Sequence, residues 1–185
     1  IGDFSIIAGA YSLNYGNFSA IAGGSGNTIH RQYSFIGGGL LNFSSGISST
    51  IVAGSNNKTF GQHSFVGGGF GNISNGNFGV VVGGHSNSGF SDYSVMVGGS
   101  TNIIYSGFSV QVGGYKNISK NLYTAGLNGL QNKIYHSFST VLNGSGNTIN
   151  GTGSHSIVLN GISNTINSTG KHNIIAGKNN TINSF

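Results

Sequence analysis

Tyr33-Ser34-Phe35-Ile36-Gly37-Gly38-Gly39-Leu40-Leu41-Asn42 returns further along the chain as Tyr93-Ser94-Val95-Met96-Val97-Gly98-Gly99-Ser100-Thr101-Asn102. Both stretches read ring, Ser, apolar pair, small residue, Gly-Gly corner, two variable positions, Asn. The same reading extends in both directions. A Gly closes each apolar run at Gly9, Gly23, Gly38, Gly54, Gly68, Gly83, Gly98, Gly113, Gly129, Gly144, Gly161 and Gly177, with spacings of 14 to 17 residues. The Asn column fixes the register independently. Asn27, Asn42, Asn57, Asn72, Asn87, Asn102, Asn117, Asn132 and Asn147 are each 15 residues apart, and Asn164 and Asn180 continue the series.

A unit of about 15 residues is too short for a helix pair, a leucine-rich repeat or a propeller blade, all of which need roughly 20 or more. It matches one coil of a parallel β-solenoid. Runs such as Ser94-Val95-Met96-Val97 are rich in β-branched residues and end at Gly, so they predict one strand per coil. A second, shorter strand is expected after each Asn, as in Asn147-Thr148-Ile149. The expected fold is all-β, a parallel β-solenoid or β-roll of about twelve coils, and at ~4.8 Å per coil it makes a rod roughly 55 Å long. The whole of 1–185 reads as a single repetitive domain, a segment of a longer fibre or filament.

Stacked coils place like residues above one another. The Asn column is then a structural ladder in which side-chain amides pass hydrogen bonds from coil to coil. Phe4, Phe18, Tyr33, His63, Phe78, Tyr93, Phe108, Tyr123, Phe138, His155 and His172 form a ring ladder beside it.

Composition excludes the common alternatives. The chain has 185 residues with 35 Gly and 25 Asn, no Pro, Cys or Trp, and only 5% charged residues. Disorder requires low hydrophobicity with high net charge, yet 36% of residues here are apolar. There is no Gly-X-Y period for collagen and no apolar run of about 20 residues for a membrane span. No Cys means no disulfide scaffold. The net charge of +5 reflects scarce acids rather than a basic tract, so nucleic acid is not an expected partner, and no membrane insertion is expected.

Alternation along each strand separates two faces. One carries Ile7, Ile21, Ile36, Val66, Val81, Met96, Val141 and Val158; the other carries Ile6, Phe35, Phe65, Val80, Val95 and Val110. Neither is polar. One face lines the coil and the second, the Ile6 to Val110 stripe, runs the length of the rod as a self-association surface.

Units such as Ser5-Ile6-Ile7-Ala8-Gly9 and Ser19-Ala20-Ile21-Ala22-Gly23 resemble the head repeats of YadA-type trimeric autotransporter adhesins. The resemblance implies a left-handed parallel β-roll, a trimer, and display on a bacterial surface that binds matrix or other cells. The present unit departs from that pattern in its usual length of 15 rather than 14, its Asn column, its Gly-Gly corner, and Asn-Gly corners at Asn128, Asn143 and Asn160.

Catalytic patterns are missing. Asp3 and Asp92 are the only acids, and six coils at ~4.8 Å put them about 29 Å apart, against the ~5 to 9.5 Å of a glycosidase pair. No nucleophile elbow or phosphate-loop signature occurs. No catalytic residue, cofactor or metal is expected, and His155 and His172 read as ring substitutes in the ladder. Lys58, Lys116 and Lys133 read as solvated edge cations. Asn-x-Ser/Thr acceptor patterns occur at Asn17, Asn42, Asn57, Asn72, Asn117, Asn143, Asn150, Asn167 and Asn179. Those in the ladder are closed to glycan, and of the rest Asn17, Asn150 and Asn167, in the return segments, are the candidate N-glycosylation sites.

The expected function is a non-catalytic structural subunit of an extracellular or cell-surface fibre, filament or adhesin head. Its expected partner is itself, as a trimer or an end-to-end filament, with host matrix or surface glycans as further ligands. Two alternatives are a glycan-binding, phage-like tail fibre and an ice-binding solenoid. The latter uses regular Thr-x-Thr columns, whereas the 11 Thr here do not form them.

Overall fold

The computed structural model describes residues 2–184. Each coil gives one strand to each of two twelve-stranded parallel sheets, and successive strands alternate between them. The first sheet holds strands such as Ala20–Ile21, Phe35–Ile36, Val80–Val81 and Val95–Val97; the second holds Thr28–Ile29, Ile103–Ile104 and Lys133–Ile134. Register follows the repeat, so that Ile36 pairs with Ile51, Ile51 with Val66, Val66 with Val81 and Val81 with Met96. A third row of single-residue parallel bridges, Ser25 to Leu40 to Ser55 and onward, joins the coils between the sheets.

The core is two side chains wide. Ile21, Ile36, Ile51, Val66, Val81 and Met96 point in from the first sheet, and Ile29 and Ile104 from the second. A second apolar cluster runs from Ile134 to Ile175. Gln111, Ser119 and Gly126 occupy the inward positions between the two clusters, and on the second sheet Ser44, Thr59, Ser74 and Gly89 fill the inward positions between Ile29 and Ile104.

Three corners close each coil. One is the Gly column: a Cβ on Gly39, at φ +91°, would lie 2.0 Å from the Gly54 carbonyl oxygen of the next coil, so only glycine fits. The second corner tolerates many residues at positive φ, among them Leu41, Thr101 and Lys116. The third is the ring column, in which Phe, Tyr and His adopt φ between 52° and 64°. That conformation costs a non-glycine residue on the order of 1–2 kcal/mol. It is held by backbone bonds to the preceding coil, such as Tyr93 N–H to Asn77 O at 2.9 Å, and by ring stacking.

Toward the C-terminal end the return segment grows by two residues, and the strands lengthen to Ile157–Ile162 and Thr165–Ser168 with an irregularity between Leu159 and Gly161.

Candidate functional site

The outer face of the first sheet is apolar along the rod. Ile6, Phe35 and Val110 are exposed, and Phe65, Val80 and Val95 are half-buried. A parallel column two residues further along each coil adds Val52, Val82, Val97 and Leu159 as exposed apolar side chains, with Val112, Leu127 and Leu142 half-buried among them. Sequence reading missed this second column. It is visible as the position two residues after the Ile6 column, which is apolar or Gly in every coil from Ala8 to Ala176. Together the two columns make a band with no charged side chain from Ile6 to Ile174.

The Asn column lies inside the second corner. Asn27, Asn42, Asn57, Asn72, Asn87, Asn102, Asn117, Asn132, Asn147 and Asn164 are buried, while Asn180 in the last coil is exposed. The link between coils runs mainly through the backbone: Asn42 N–H donates to Asn27 Oδ1 at 2.9 Å, and each later Asn repeats this up to Asn180 N–H on Asn164 Oδ1 at 3.0 Å. The side-chain Nδ2 bridges two carbonyls, as Asn57 does to Ala53 O at 3.1 Å and Gly69 O at 3.0 Å. The direct amide-to-amide bond expected from sequence appears at only four later steps, for example Asn117 Nδ2 to Asn102 Oδ1 at 3.1 Å. In the earlier coils the two corner carbonyls take the Nδ2 donors instead.

This bonding leaves no free amide at Asn42, Asn57, Asn72 or Asn117 for glycan attachment. Asn17, Asn150 and Asn167 are exposed; Asn17 Oδ1 accepts from Asp3 N–H at 2.9 Å, and Asn167 Nδ2 lies 3.3 Å from Asn183 Oδ1.

Rings of the corner ladder stack face to face. Phe4, Phe18 and Tyr33 form one run, with centroids 5.2 and 5.6 Å apart. His63, Phe78, Tyr93, Phe108, Tyr123, Phe138 and His155 form a second at 4.8 to 5.2 Å, to which His172 adds at 5.3 Å and 37°. Ser48 separates them. Shorter stacks on other columns, Phe70 with His85 and Phe90 with Tyr105, escaped the sequence reading.

The charged groups do not converge. Asp3 and Asp92 occupy the same column six coils apart, and Asp92 Oδ1 accepts from Asn77 N–H at 2.8 Å. Lys116 Nζ sits 4.9 Å over Tyr115, and Lys133 and Lys58 point outward from the second sheet. Among the described residues no three His or carboxylate groups gather as a metal site. His136 is the exception to the general exposure of titratable groups. It fills a column otherwise of Gly, Ser, Asn and the exposed Arg31, is buried beneath the lengthened return segment, and neither ring nitrogen makes a hydrogen bond of ordinary geometry. Burial pushes its pKa below the usual imidazole value, partly offset by the peptide groups of Gly151 and Asn150.

Among the described residues no helix is long and apolar enough to cross a membrane. Compared with known proteins, the chain matches no family model and no curated protein.

Proposed function

We propose that this chain is a non-catalytic structural rod, part of an extracellular or cell-surface fibre, filament or adhesin head, that associates with copies of itself through the outer face of the first sheet. The observation that carries the reading is the uncharged double column from Ile6 to Ile174. Two columns about 6.6 Å apart along the strand, repeated over eleven coil steps of ~4.8 Å, make a continuous band of roughly 350 Å² before side-chain width is added, the size at which an apolar patch on a monomer is often a binding surface. Polar ladders that fix every coil in register suit a stiff support rather than a catalyst. A trimer, display on a bacterial surface, and matrix or glycan ligands remain parts of the same proposal, supported by the resemblance of the Ser5 to Gly9 unit to adhesin heads. Negative-stain microscopy tests it: rods laterally paired or bundled support it, and single unassociated rods at micromolar concentration reject it.

A further inference from the structure

The ring ladder has one gap, at Ser48. The backbone does not notice it. Ser48 keeps the corner conformation with φ +54°, beside +59° for Tyr33 and +54° for His63. Ser48 N–H donates to Gln32 O at 3.0 Å and His63 N–H to Ile47 O at 2.9 Å, so the corner bonds are the same as in coils that carry a ring. Only the ring is missing. Two coil rises put the Tyr33 and His63 rings about 9.6 Å apart across the gap. A ring midway would lie about 4.8 Å from each, inside the range of offset stacking.

Among the tyrosines of the ladder Tyr33 has the greatest exposure, 56%, against 47% and 46% for Tyr93 and Tyr123, which carry a ring on both sides. Ser48, at the bottom of the notch, is half-buried and offers no side chain long enough to fill it.

We infer that the notch between Tyr33 and His63 is a binding slot for one flat aromatic ring, which enters as the absent rung of the ladder. Within each run the ladder presents ring edges, because each inner face is covered by the next ring, and Phe4 and His172 turn one face to the ladder's ends; at Ser48 two faces confront the same space. The ligand class is a planar ring of one or two fused cycles, neutral or anionic, because the only acids, Asp3 and Asp92, are each three coils away and the exposed Arg31 lies two residues before Tyr33. Stacking alone predicts weak binding of a small free ring, with a Kd from several millimolar to about 0.2 M. This inference does not depend on self-association of the apolar face.

Titration with indole, followed by proton NMR of the His63 and Tyr33 rings, tests it. The expected result is a saturable upfield shift at both residues. Ser48→Phe, which supplies the missing rung and which the same corner accepts in neighbouring coils, should remove the response and raise the melting temperature. Phe108→Ser should open a second slot, read at Tyr93 and Tyr123. A parallel titration with Gly-Trp-Gly separates the sources: equal affinity assigns the slot to a free ring, and at least tenfold tighter binding assigns it to a ring presented on a peptide chain. No saturable shift in the native chain, or an equal shift in folded Ser48→Phe, overturns the inference.

Discussion

A methyl group on Gly126 would stand 2.0 Å from Oε1 of Gln111, the residue directly beneath it in the first sheet. Gln111 is fully buried, and its Nε2 donates to Gly113 O at 3.2 Å. Its long side chain occupies the space that Gly126 vacates, and the pair divides the apolar core into two clusters.

That relationship makes the two positions interdependent. Gly126→Ala alone should destabilise the rod by about 1 to 3 kcal/mol through overpacking. Val at both positions restores the pattern of Val66, Val81 and Val141 and joins the clusters, so the Gln111→Val, Gly126→Val double variant should melt above the native chain. Thermal melts by circular dichroism on the single and double variants check both expectations.

The Asn ladder gives a second contrast. Removing the Asn102 side chain strands the N–H of Asn117, which it accepts at 2.9 Å, and the carbonyls of Gly113 and Gly114, to which it donates at 3.1 and 3.0 Å. Each buried polar group left unpaired costs about 1–3 kcal/mol, so Asn102→Ala should lower the melting temperature by many degrees. Asn75→Ala, on an exposed position between the strands, should be nearly silent. Asn102→Asp should be worse than Asn102→Ala, because it removes both Nδ2 donors and faces the same carbonyls with negative charge.

His136 predicts the direction of acid sensitivity. Its folded pKa lies below the unfolded value of 6.5, so the unfolded chain takes up the proton first as pH falls. Stability from the neutral buried ring is complete above about 6.5 and is lost as pH drops through and below that value. His136→Asn, which copies Asn121 of the preceding coil, should flatten the fall in melting temperature between pH 7 and pH 5. An unchanged slope in that variant would place the acid sensitivity elsewhere.

The period, the two strands per coil, the inward column from Ile21 to Val158 and the outward stripe from Ile6 to Val110 were all legible in the sequence, because a stacked fold repeats its chemistry at fixed spacing. The positive φ of Phe18, Tyr33 and Tyr93 was not, since residue preference assigns that conformation to Gly and Asn; here corner bonds and stacking from the adjacent coils override it. Burial of His136 was equally hidden. It depends on two extra residues in the next return segment, and no property of the His136 coil announces them. The Val52, Val82 and Val97 column was overlooked because alternation was counted over only the first two residues after each Ser.

Sedimentation equilibrium on the native chain and on a Val82→Lys, Val97→Lys variant bears most directly on the role of the apolar face. Both positions are exposed on the outer face of the first sheet, so the variant should keep the same β-sheet circular dichroism spectrum. Self-association predicts that the native chain sediments at a multiple of 18.9 kDa at micromolar concentration and that the folded double variant shifts to the monomer mass. A native chain that sediments as an 18.9 kDa monomer over that range would contradict it.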